Sequence, residues 1–124
     1  MIANRALSRA KLMAKAIEDS GNVVTSPWVL GQLEKSASQV NVFERDRLGS
    51  ESCDVLVADV TEPSIGVGME IMAAYKAGRR VVLISKKGNI TSRMLQRMDR
   101  KETLEYEHES EVYQGLRHLL EKMA

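Results

Sequence analysis

The chain is poor in the residues that mark most specialised folds. It has one cysteine, two prolines and one tryptophan in 124 residues, and aromatic side chains make up only 4%. A single cysteine cannot close an internal disulfide, which excludes a disulfide-stapled scaffold. Cys53, just ahead of an apolar run, reads as a buried filler rather than a reactive thiol. No N-terminal apolar run of signal-peptide or membrane-span length is present, so the expectation is a cytosolic chain without a membrane partner. An excess of one charge is missing too: 18 basic side chains face 17 acidic ones, and no global field advertises a nucleic acid polymer. His108 and His118 have no cysteine or second histidine at ligand spacing, so neither a metal nor another cofactor is expected. A small ligand or another protein is the favoured partner.

What is present is a β/α alternation. The length and the 44% hydrophobic content fit one domain over residues 1–124. Leu7, Ala10, Met13, Ala14 and Ile17 recur at helical spacing and predict a helix from Asn4 to Ser20, with Gly21 closing it. Asn22 to Thr25 reads as a short strand running into a Ser26-Pro27 loop, and Gly31 to Gln39 is polar and weakly patterned. A helix is placed at about Val40 to Ser50. The unbroken apolar run Asp54 to Val60 suits a strand covered on both faces. After a loop at 61–68, a helix from Met69 to Ala77 ends at Gly78. Further elements are a strand at Val81 to Ser85, a helix at Thr91 to Met98, a strand at Leu104 to Tyr106 and a helix at Ser110 to Met123. Such alternation predicts an α/β fold, a flavodoxin-like or Rossmann-like three-layer sandwich with a mostly parallel sheet. Ligands in such folds bind beyond the carboxyl ends of the strands.

The loop after the central strand lies at that position. Gly66 and Gly68 would let backbone approach a bound group closely, and Ser64 stands beside the free amides of the next helix, an arrangement suited to phosphate. Gly-x-Gly alone equally describes a tight turn. Glu70, read as lying in the first turn of the following helix, would be held ionised by the helix dipole, either as a functional carboxylate or as a simple dipole partner on a solvated face. Tyr75 is read as core or interface, and Arg79-Arg80 and Lys86-Lys87 as solvated strand ends.

The stretch Ala58-Asp59-Val60-Thr61-Glu62-Pro63-Ser64-Ile65-Gly66-Val67-Gly68-Met69-Glu70 closely resembles the signature of the nucleoside 2-deoxyribosyltransferase superfamily, and within it the 2′-deoxynucleoside 5′-monophosphate N-hydrolases. Phe43-Glu44-Arg45-Asp46 followed by Leu48 resembles the family's Arg-Asp helix, and Asn89-Ile90-Thr91-Ser92-Arg93-Met94 the segment that lends a serine to the neighbouring subunit. The resemblance implies an enzyme that cleaves the N-glycosidic bond of a deoxynucleoside monophosphate. Glu70 would be the nucleophile that traps an oxocarbenium-like C1′, as in retaining glycosidases, and Asp46 the group that helps the base leave. Ser64, Gly66 and Gly68 would hold the 5′-phosphate, and Ser92 of a second copy would close the site, which implies a homodimer.

Plainer roles stand beside these. Asp46 would serve as a surface partner for Arg45 or Arg47, and Ser92 as a helix N-cap. Trp28, the only tryptophan, would either stack on a base or cover the sheet edge. Two further functions also stand open: deoxyribosyl transfer to a second base, and nucleotide binding without catalysis. The chain departs from the family at its start, where a buried first strand and a Gly-rich loop are expected and Met1-Ile2-Ala3-Asn4 leads almost at once into a helix. The expectation is a sheet without its first, central strand: through a start at an internal methionine, through a rebuilt or exchanged sheet, or in a degenerate binding module.

Overall fold

A computed structural model describes residues 1–3, 6–26, 41–89 and 92–124. Its elements are β1 (Ile2–Ala3), α1 (Leu7–Asp19), α2 (Val42–Ser52), β2 (Val55–Asp59), α3 (Ile65–Lys76), β3 (Arg80–Lys86), α4 (Arg93–Arg97), β4 (Lys101–Tyr106) and α5 (Glu111–Met123). The four strands form one parallel sheet in the order β1-β2-β3-β4.

Strand alternation sorts the apolar side chains onto two faces. Val57, Val82 and Ile84 point with Ile2 to the side covered by Met13, Ala16 and Ile17 of α1 and Val112, Leu116 and Leu120 of α5. Leu56, Ala58, Val81 and Leu83 point the other way, onto Val67, Ile71 and Ala74 of α3, with Leu95 and Met98 at the margin. The result is the three-layer α/β/α arrangement expected. Gly21 and Gly78 take φ of 88° and 78°, as residues closing helices α1 and α3 do.

The expected loss of the first strand is corrected. Ile2 and Ala3 do form a strand, in register with Val57 and Ala58, and the Val57 amide donates to the Met1 carbonyl at 2.8 Å. It is short, and among the described residues it lies at the border of the sheet rather than in its centre, because the strand expected at residues 22–25 does not form. In its place Ser26, fully buried, accepts a hydrogen bond from the Ile2 amide at 2.9 Å. One hydroxyl thus satisfies the outward-facing amide that a neighbouring strand would otherwise pair.

The helix expected from Met69 begins four residues earlier, at Ile65, so Gly66 and Gly68 are helical rather than loop residues. Each glycine costs a helix interior about 1 kcal/mol relative to alanine, but the buried seam Val67, Ile71 and Ala74 outweighs that. Arg79 is not a solvated end: its Nε donates to the Glu51 carbonyl at 2.7 Å and closes the last turn of α2.

Ser26→Ala is expected to strand the buried Ile2 amide and to lower stability by about 1–3 kcal/mol. Urea denaturation measures the loss. Amide exchange at Ile2 should rise with it; unchanged protection there would show that the hydroxyl is not the anchor.

Candidate active site

The site is organised by α3. Pro63 cannot continue the preceding extended chain as a strand, and Ser64 caps the helix by accepting the Val67 amide at 3.3 Å. From that start the helical period deals residues onto three sides. Val67, Ile71 and Ala74 enter the core. Gly66, Met69, Glu70 and Ala73 face α2, while Gly68, Met72 and Tyr75 face α4.

The side towards α2 is a cleft of about 430 Å³ lined by Val42, Phe43, Asp46, Arg47 and Glu51 as well as Gly66, Met69, Glu70 and Ala73. It brings Asp46 and Glu70 together from separate helices. Asp46 is held by Arg45, whose Nε lies 2.9 Å from Oδ1. The ion-pair role open to Asp46 in the sequence therefore coexists with its place in the cleft. Arg47 is engaged by Glu44 at 2.8 Å and by Glu51 at 2.9 Å.

Glu70 corrects one expectation. It lies in the second turn of α3, beyond reach of the dipole at the helix start, and its carboxyl is raised from 4.5 to about 7. Burial is the main cause, followed by the charge of Asp46 and a hydrogen bond to Asp46, with Arg45 opposing. Two carboxyl groups can share a hydrogen bond only when one carries a proton. Glu70 therefore keeps its proton below about 7 and loses it as pH rises through that value.

The phosphate cradle is narrower than expected. The Gly68 amide donates to the Ser64 carbonyl at 3.1 Å within the helix, which leaves the Ile65 and Gly66 amides at the helix start. A Cβ added at Gly66 or Gly68 would meet nothing within 4 Å, and neither has positive φ. Packing and backbone conformation therefore do not call for glycine there. Both positions leave open surface.

Ser92 lies across α3 from the carboxylates. It lines the other cleft, about 620 Å³, with Ser64, Gly68, Asn89, Tyr75 and Asp99, and caps α4 by accepting the Leu95 amide at 3.3 Å. Tyr75 lines this cleft and donates to Asp99. The acids Glu62 and Asp99 line the larger cleft, whereas Asp46 and Glu70 meet in the smaller one. Trp28 and Thr91 lie outside the described residues. Among the described residues no cluster of histidine, cysteine and acidic side chains could hold a metal ion, and no helix is long and apolar enough to cross a membrane.

Sequence reasoning missed Arg9. Its guanidinium reaches Asp59 at 2.6 Å, Glu62 at 3.0 Å and Glu109 at 3.5 Å, pinning the end of β2 and the loop that delivers Ser64. Asp59 is buried and its other oxygen accepts the Thr61 amide at 3.0 Å. An aspartate ending an apolar strand was the available signal; nothing in the sequence marked its partner.

No protein-family profile matches the chain. Among curated proteins, it is 37% identical over 90 residues to one from Thermofilum pendens named "Putative 2′-deoxynucleoside 5′-phosphate N-hydrolase 1", covering 70% of this chain and 63% of that protein. In sequence the chain is thus similar to a protein named as a nucleotide N-hydrolase. Other relatives agree. A zebrafish (Danio rerio) 5-hydroxymethyl-dUMP N-hydrolase is 28% identical over 89 residues, with 67% of this chain and 62% of that protein covered. A Methanococcoides burtonii protein bearing the same name as the Thermofilum one is 32% identical over 62 residues, with 50% and 51% covered. The chain thus spans less than two thirds of the length of these curated relatives. In fold it matches a Clostridium botulinum CMP N-glycosidase, BcmB, with a TM-score of 0.71 at 21% identity, over 93% of this chain and 95% of that one. The fold of this chain therefore superposes on nearly the whole of that structure.

The raised Glu70 carboxyl carries a stability prediction. The folded state holds this proton more tightly than the unfolded chain, so the contribution is fully present below pH 4.5 and is lost as pH rises through about 7. Glu70→Gln, which cannot ionise, should therefore gain stability over the parent at pH 8 by on the order of 1–3 kcal/mol, and little at pH 4. Denaturant titrations at the two pH values measure this; equal differences would refute the burial of the charge.

Proposed function

We propose that the protein hydrolyses the N-glycosidic bond of 2′-deoxynucleoside 5′-monophosphates, releasing the free base and 2-deoxyribose 5-phosphate. The observation that carries this reading is the convergence of Asp46 and Glu70 in one cleft, where Glu70 is raised to about 7. Departure of a base from C1′ leaves an electron-poor, oxocarbenium-like centre and a nitrogen that must be protonated or stabilised. Two carboxyl groups side by side suit both needs. In the reading, Glu70 attacks C1′ as the carboxylate and forms a glycosyl ester, while Asp46 holds the leaving base, which takes a proton from water. The hydroxide left behind cleaves the ester and restores Glu70.

The names of the relatives support this substrate class, as does the match of Glu70 and Asp46 to the family's motifs. Ser64, Gly66 and Gly68 border the approach to the helix start, where open glycine surface and free amides suit a 5′-phosphate. The position of Ser92 on the far side of α3 from its own Glu70 favours a homodimer in which Ser92 serves the neighbouring copy. Exposed Ile65, Met72 and Met94 around the larger cleft give that contact apolar surface. A cytosolic location suits this substrate.

Incubation with each deoxynucleoside monophosphate, followed by chromatography, is expected to show free base. Glu70→Ala should lower the rate by roughly a thousandfold or more. No base from any deoxynucleotide, or full activity in Glu70→Ala, would overturn the reading; a new nucleoside formed when a second base is added would mark a transferase instead.

The pH profile gives a second check. Because Glu70 must be ionised to attack, kcat/KM should fall as pH drops below about 7. Asp46→Asn removes a charge and a hydrogen bond that raise this carboxyl, so the acid limb of the residual activity should move to lower pH. Burial, the larger cause, stays. An unmoved limb would show that the two groups are not coupled.

A further inference from the structure

The cleft that holds the carboxylates has apolar walls that catalysis does not explain. Phe43 is the chain's only phenylalanine, and it is 56% exposed although it lines this cleft. Met69 on the opposite helix is 53% exposed. Leaving large apolar side chains in water forfeits stabilisation that burial would give, and here both sit beside the two groups expected to act on a glycosidic bond. Their placement is specific. Phe43 precedes Asp46 by three residues on α2, so it lies on the same face one turn towards the helix start. Met69 adjoins Glu70 and faces the same cleft.

We propose that Phe43 and Met69 form the two walls between which the nucleobase of the substrate is held. The inference rests on the hydrolase reading above and adds to it a binding surface for the leaving group. With C1′ at Glu70 and the glycosidic nitrogen at Asp46, a base directed along α2 reaches Phe43 within one helical turn. An aromatic ring offers its face to a planar base, and a thioether packs well against the ring from the other side. Val42 and Ala73, which line the same walls, bear no polar side-chain atoms to read the edge of a base, and the polar Arg47 and Glu51 of the cleft are paired with each other at 2.9 Å. Recognition here therefore follows stacking area and tolerates changes in edge substituents.

Calorimetric binding of a deoxynucleoside monophosphate and of 2-deoxyribose 5-phosphate, which has no base, tests the inference on the full chain. Phe43→Ala should weaken the nucleotide about tenfold, in line with the loss of one stacked base. Phe43→Trp should retain nucleotide affinity, and the sugar phosphate should bind equally well to all three proteins. Because Phe43 is more than half exposed, thermal melts of the variants should match the parent. Nucleotide affinity unchanged in Phe43→Ala, or a parallel loss for the sugar phosphate, would overturn the role of Phe43. A parent protein that releases base but shows either of those patterns would leave hydrolysis standing while removing this inference. A parent that binds neither ligand would remove both.

Discussion

The hydrogen bond from the Val67 amide to the Ser64 hydroxyl sets where α3 begins, and the layout of both clefts follows from that start. A helix turns by about 100° per residue, so a start displaced by one position would rotate every side chain by that angle. Glu70 would swing towards the sheet, and one of Val67, Ile71 and Ala74 would lose its place in the core. The cap, the apolar seam and the carboxylate are thus one phase relation. Arg9 protects it from behind by tying Asp59 and Glu62, the two acids that bracket the loop between β2 and the cap.

The second constraint is desolvation shared between two acids. Neither α2 nor α3 alone would raise a carboxyl group, since each is a surface helix with water on one side. Their packing removes water from Glu70 and sets it against Asp46, while Arg45 holds Asp46 in place. Burial, which favours a neutral acid, outweighs the nearby guanidinium, which favours an anion, and brings Glu70 to about 7. A carboxyl group poised there is available as the carboxylate that the proposed hydrolysis requires. The open glycines at 66 and 68 fit the same picture: they weaken the helix, meet no packing demand, and leave room where a ligand would approach.

Much of this was legible in the chain. The β/α alternation, the buried character of residues 55–59 and 81–85, and the closing glycines at 21 and 78 all follow from short-range periodicity and backbone preference, which act within one element. The motif from Ala58 to Glu70 pointed to the family because it carries site residues in one contiguous stretch. Element starts were less legible. Gly66 and Gly68 read as loop because glycine disfavours helix, and tertiary burial of Val67 and Ile71 overrode that preference. The first strand is not legible because two residues carry no detectable period, and among the described residues its outer partner is a serine hydroxyl.

By itself, then, the sequence determined the layers, the order of elements and which residues were candidates for chemistry, since these depend on local hydrogen bonding and hydrophobic spacing. Only the tertiary structure decided that Asp46 and Glu70 meet, that Glu70 is pushed to about 7 rather than held ionised by a helix end, and that Ser92 stands on the other side of α3. Those outcomes depend on the exclusion of water and on Coulomb interaction across helices some twenty residues apart in the chain, and both are properties of distance in space.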